Sequence, residues 1–104
     1  MTSAEIAARI GNGIDLVTPA QRKPFRVMTS SYGLEFTLKS GRRRRTPWHG
    51  PQGRLYGVVE LYDDWSAAGA PMETAWINRR MEETGVGTRN ASYILATLAY
   101  LRKP

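Results

Sequence analysis

The chain has no cysteine, and that one absence excludes disulfides, thiolate metal sites and a cysteine nucleophile together. It has a single histidine, His49, which excludes a multi-histidine metal centre. No apolar run approaches the roughly 20 residues that a helix needs to cross a bilayer. The first residues, Met1-Thr2-Ser3-Ala4-Glu5, lack the basic segment followed by an apolar one that marks a secretory signal. The expected location is therefore the cytoplasm, with no membrane partner. No phosphate-binding G-x-x-x-x-G-K-[ST] loop is present, and Gly85-Val86-Gly87-Thr88 is too short a signal to stand in for one. No cofactor is expected.

What is present describes a single α+β domain spanning residues 1–104. Apolar residues make up 41% and charged residues 23%, an ordinary globular balance rather than that of a disordered tail. Three Trp, five Tyr and two Phe supply the bulk for a core. A chain this short buries a limited share of its surface, so a homodimer would gain burial cheaply.

The net charge is +6, and its placement says more than its size. Between Gln21 and Arg54 lie Arg22, Lys23, Arg26, Lys39, Arg42, Arg43, Arg44, Arg45 and Arg54, against Glu35 alone. The segments on either side each sum to −1. A positive field concentrated in this way attracts polyanions and speeds their encounter.

Local patterns set the order of elements. Ser3–Ile10 reads as a helix capped by Thr2 or Ser3, with Ile6 and Ile10 on one face and Gly11-Asn12-Gly13 as its stop. Ile14–Val17 is a short apolar stretch ended by Thr18-Pro19. Phe25–Ser30 and Leu34–Lys39 alternate with a period of two, and Ser31-Tyr32-Gly33 turns the chain between them. Ser40-Gly41 is a tight turn, and Arg42–Trp48 follows as a third strand, ended early or held at an edge by Pro47. The expected sheet is a three-stranded antiparallel meander packed against about four helices. After the loop His49-Gly50-Pro51-Gln52-Gly53, Leu55, Val58, Val59, Tyr62 and Trp65 follow helical spacing. A second helix runs from about Glu73 to Glu83 with Met72, Trp76, Ile77 and Met81 inward and Gly85 beyond its end. The last starts at Thr88 or Asn90 and carries Ala91, Ile94, Leu95, Leu98 and Leu101.

Four consecutive arginines on a strand alternate across the pleat, two to each face where the strand is regular. Spread along one strand, Arg42, Arg43, Arg44 and Arg45 can follow a phosphate backbone with charge-assisted hydrogen bonds, with Arg22, Lys23, Arg26 and Arg54 in support. Tyr32 and Trp48 are candidates for stacking on unpaired bases. The plainer reading is a solvated strand edge that keeps other chains from pairing, but four arginines exceed what edge protection needs.

The stretch from Arg80 to Ile94 resembles a helix-turn-helix over about Trp76 to Leu98. Gly85 stands at the turn glycine, Val86 at the apolar residue after it, and Ile94 at the buried position of the second helix. Met81 departs from the small residue usual at its place, and Ala91 from the usual β-branched one. The resemblance implies that Thr88, Arg89, Asn90, Ser92 and Tyr93 open a recognition helix. A plain αα-hairpin closed by a glycine cap accounts for the same residues and is the commoner arrangement.

Catalytic groups are few. Glu60 and Asp64 share a helix face that can hold a divalent cation, although such acids are more often the wet side of a helix. His49 beside the arginines has the chemistry of a general base, yet the sequence shows no partner to orient it. The expectation is a non-enzymatic protein that binds DNA or RNA through a basic β-hairpin. A homodimeric interaction module is the first alternative and a small metal-independent nuclease the second.

Overall fold

Helix α1 (Ser3–Ile10) starts where the capping chemistry places it. In the computed structural model, which describes residues 1–50, 57–83 and 90–103, Thr2 Oγ1 accepts the Glu5 amide at 3.1 Å while the Glu5 carboxylate accepts the Thr2 amide at 3.4 Å. This reciprocal capping box satisfies two amides that the first turn leaves unpaired. Ile6 and Ile10 then enter the core from one face.

Four strands follow: β1 (Ile14–Val17), β2 (Pro24–Thr29), β3 (Gly33–Leu38) and β4 (Arg43–Pro47). They form one antiparallel sheet in the order β1-β2-β3-β4. Phe25 and Val27 of β2 and Leu34 and Phe36 of β3 point to the core. Arg26, Met28, Glu35 and Thr37 therefore point the other way, because successive residues alternate across a strand. The β2–β3 turn depends on Gly33. A Cβ there would run into the carbonyl oxygen of Thr46 on β4, so any side chain would force the two strands apart.

Three helices complete the chain: α2 (Val58–Ala67), α3 (Thr74–Glu83) and α4 (Ala91–Arg102). The N-cap of α2 is Gly57, where a Cβ would meet the Trp48 carbonyl. Trp65 is buried, and its indole N–H donates to the Pro71 carbonyl at 2.9 Å, which satisfies its one polar atom. Helix α4 is the most enclosed. Ile94, Leu95, Leu98 and Leu101 are fully buried, and so is Thr97, whose hydroxyl donates to the Tyr93 carbonyl at 2.8 Å. The Tyr93 ring rests against Phe25 and Phe36, with centroids 5.1 and 5.9 Å away, and fixes α4 to the inner face of the sheet. Among the described residues no helix is long and apolar enough to cross a membrane.

The α+β class is as the sequence implies, but the sheet has four strands rather than three. Ile14–Val17, which reads as a mere apolar stretch, pairs with β2 over its whole length. Four residues carry only two inward positions, and Asp15 interrupts the apolar run, so alternation is too brief to register locally. The last strand is Arg43–Pro47 rather than Arg42–Trp48, one residue shorter at each end. Helix α2 buries Leu61 as well as Val58, Val59 and Trp65, while Tyr62 is only half-buried. Met72, expected inward, is 55% exposed. Leu55 and Gly85 lie outside the described residues.

Candidate nucleic-acid interface

Pairing with β3 decides where the arginines point. Arg43 and Arg45 stand directly across from Thr37 and Glu35, on the face that bears none of the described helices, and both are exposed. Arg44 stands across from Phe36, on the helix-packed face, and is half-buried. Its Nε is buried and donates to no acceptor among the described residues. Arg42 is exposed in the hairpin turn, where its carbonyl accepts the Leu38 amide at 2.9 Å and Gly41 takes a positive φ of 86°. That is a three-residue loop closed by a left-handed glycine, a common β-hairpin form. The alternation expected for a regular strand holds, and its consequence is a division of labour. Arg44 is withdrawn from solvent while Arg42, Arg43 and Arg45 remain in it.

The open face extends across the sheet. Arg26 on β2 and Arg43 on β4 both stand across from Thr37, so two strand spacings, about 10 Å, separate their backbones. Arg43 and Arg45 are about 7 Å apart along β4. Arg26 is partly neutralised by Asp15 of β1, with Nη1 to Oδ1 at 3.1 Å, although both side chains remain largely in water. Tyr32, 48% exposed, lies under the guanidinium of Arg45 at 4.8 Å from its ring centroid. Such a contact holds the ring and the charge in one orientation. Met28 and Val17 complete the exposed apolar surface of this face at 40% and 47%. Trp48 behaves differently. Its indole N–H donates to the Ser30 carbonyl at 2.9 Å and its ring packs half-buried against the core, which makes it a strut between β4 and the β2–β3 turn.

The remaining cations gather at one end of the sheet, because in an antiparallel meander the β1–β2 and β3–β4 turns fall at the same end. The first turn is held by Thr18, which is buried. Its Oγ1 accepts the Lys23 amide at 2.9 Å, its carbonyl accepts the Arg22 amide at 3.0 Å, and its amide donates to the Lys23 carbonyl at 3.0 Å. Arg22 thereby takes a left-handed φ of 52°, which costs a residue with a Cβ about 1–2 kcal/mol. Arg22 and Lys23 line one cavity together with Lys39 of the second turn. Lys39 has the same claim to the site as the other cations. Its position just before the Ser40-Gly41 turn is the signal that points to it, since the turn carries it to the basic end.

Asn90 and His49 take unforeseen partners. The Asn90 side-chain amide donates to the Arg45 carbonyl at 3.1 Å and ties the start of α4 to β4. Tyr93 is packed on Phe25 and Phe36 of the sheet. His49 Nδ1 lies 3.1 Å from Glu60 Oε1, so the histidine does have an orienting carboxylate. The sequence hides this pair because it joins a loop to the first turn of a helix 11 residues on, a spacing set by the fold and not by a helical or strand period. Asp63 pairs with the N-terminal ammonium at 3.1 Å, and among the described residues no three metal-binding side chains converge. Arg54 and Arg89 lie outside the described residues. Comparison with family models, curated proteins and solved structures gives no match.

Proposed function

We propose that this protein binds single-stranded DNA or RNA, without catalysis, along the open face and basic end of its sheet. One observation carries the reading. Arg26, Arg43 and Arg45 share the face that bears none of the described helices, and Arg22, Lys23, Lys39 and Arg42 occupy the turns at one end of the same sheet. The acids paired into that face are Asp15 and Glu35. A surface of this kind draws a phosphate backbone by charge, and the exposed Tyr32 ring offers a stacking platform that any base can use. An open sheet face with an aromatic ring beside its cations suits a flexible single strand whose bases are free to stack. Asn90 donates to the β4 backbone and the Tyr93 ring rests on Phe25, so this reading lays the strand on the sheet and does not rely on a recognition helix.

The test is a salt titration of the protein against fluorescently labelled random DNA and RNA, single-stranded and duplex. Affinity for single strands should fall linearly on a log–log plot, by about 0.7 for each phosphate contacted. Absence of binding to any of these at low salt would end the proposal. The same face, with Val17, Met28 and Tyr32 exposed, would then be read as a protein-contact surface. A second reading, strand cleavage, has one supporting observation: Glu60 orients His49 through Nδ1, which leaves Nε2 as the nitrogen for a substrate proton. Incubation of RNA with the parent and with His49→Ala decides it, since only histidine-dependent cleavage supports that reading.

A further inference from the structure

Between the two basic turns lies a cavity of about 430 Å³, walled by Arg22, Lys23 and Lys39 and floored by Pro24, Leu38 and the side of Tyr93. The three cations carry no ion pair among the described residues, and no carboxylate lines the cavity. Three cationic residues therefore border one space with no acid among its lining residues. The turn that presents Arg22 and Lys23 is not slack, because the buried Thr18 grips it through three hydrogen bonds and holds Arg22 left-handed. The left-handed φ at Arg22 is kept because the surrounding turn fixes the backbone from which this side chain leaves.

We infer that this cavity receives one nucleotide unit of the bound strand. The phosphate meets the Arg22 fork and the two ammonium groups, and the base lies on Pro24, Leu38 and Tyr93. The inference rests on the reading of the open face as a single-strand surface and specifies where that strand is gripped. The volume lies in the range of small-ligand sites and suits a single nucleotide, not a base-paired duplex. Charge alone would hold any phosphate, but an apolar floor adds affinity only for a ligand that carries a base.

The experiment uses the full chain labelled with ¹⁵N, following the amide resonances of Lys23, Lys39 and Ser40. The probes are thymidine 5′-monophosphate, thymidine, deoxyribose 5-phosphate and a short oligothymidylate. The monophosphate and the oligonucleotide should move the same amides and compete with each other. Thymidine and deoxyribose 5-phosphate should each bind about tenfold more weakly or worse, lacking either the charge-assisted bonds or the stacking. Lys23→Glu with Lys39→Glu, at exposed positions that leave the spectrum otherwise folded, should weaken the monophosphate by about a hundredfold. Equal binding of deoxyribose 5-phosphate and the monophosphate would reduce the cavity to an anion patch and overturn the inference. An oligonucleotide that binds without moving these amides would overturn it while leaving the sheet-face reading intact. Monophosphate binding with no oligonucleotide binding would instead remove the sheet-face reading, and the strand-grip inference with it.

Discussion

Replacing Arg44 by methionine should make the protein more stable while leaving nucleic-acid binding almost unchanged. Arg44 sits on the packed face of β4, across from the fully buried Phe36, with its Nε lacking an acceptor among the described residues. A buried donor without a partner costs about 1–3 kcal/mol. Arg44 as a whole is half-buried rather than fully buried, so the low end of that range applies, about 1 kcal/mol. Methionine keeps the length and the apolar stem and discards the unpartnered N–H. The expected gain is therefore about 1 kcal/mol, which for a domain near this size raises the melting temperature by about 4–8 °C. Arg43→Met, at an exposed position, should stay within about 0.5 kcal/mol of the parent. Urea unfolding followed by tryptophan fluorescence measures both, and a salt titration on a single strand gives the binding arm. A loss of stability in Arg44→Met, or a loss of binding equal to that of Arg43→Met, would show that Arg44 is a working cation and refute its placement.

Three further outcomes follow from the packing and the open face. Leu98→Ala empties a fully buried site at the centre of α4 and should cost about 2–5 kcal/mol in urea unfolding; a change near zero would mean α4 is not the core helix. Gly33→Ala sets a Cβ against the Thr46 carbonyl and should destabilise by about 2 kcal/mol or more, visible as a lowered melting temperature. Tyr32→Ala should weaken binding to single strands by about 1–3 kcal/mol with the fold intact, whereas an unchanged affinity would remove Tyr32 as a stacking platform.

Where a local pattern was strong, the sequence made the structure legible. Thr2 or Ser3 before Ile6 and Ile10 marks the start of α1, Leu34-Glu35-Phe36-Thr37-Leu38 fixes both faces of β3, and the spacing of Ile94, Leu95, Leu98 and Leu101 fixes the buried side of α4. Ile14–Val17 escaped because its pairing with β2 is decided by a partner strand and not by its own four residues. Charge clustering located the basic surface, yet composition could not tell Arg44 from its neighbours. That distinction depends on register, and a shift of one residue would exchange the faces. The His49–Glu60 pair spans 11 residues that no regular period covers, and the cavity joins two turns and a helix, so no spacing announces either.

The measurement that bears most directly on the central claim compares the parent with a variant in which Arg42, Arg43 and Arg45 become serine and Arg44 is kept. All three side chains are exposed, so the variant should unfold within about 1 kcal/mol of the parent, the loss coming mainly from the Arg45–Tyr32 contact. Its affinity for single strands should drop for every sequence tested, and its salt slope should flatten by about two, the sum of three contacts at about 0.7 each. A variant that binds as tightly as the parent and with the same slope would contradict the claim that these arginines carry the nucleic acid.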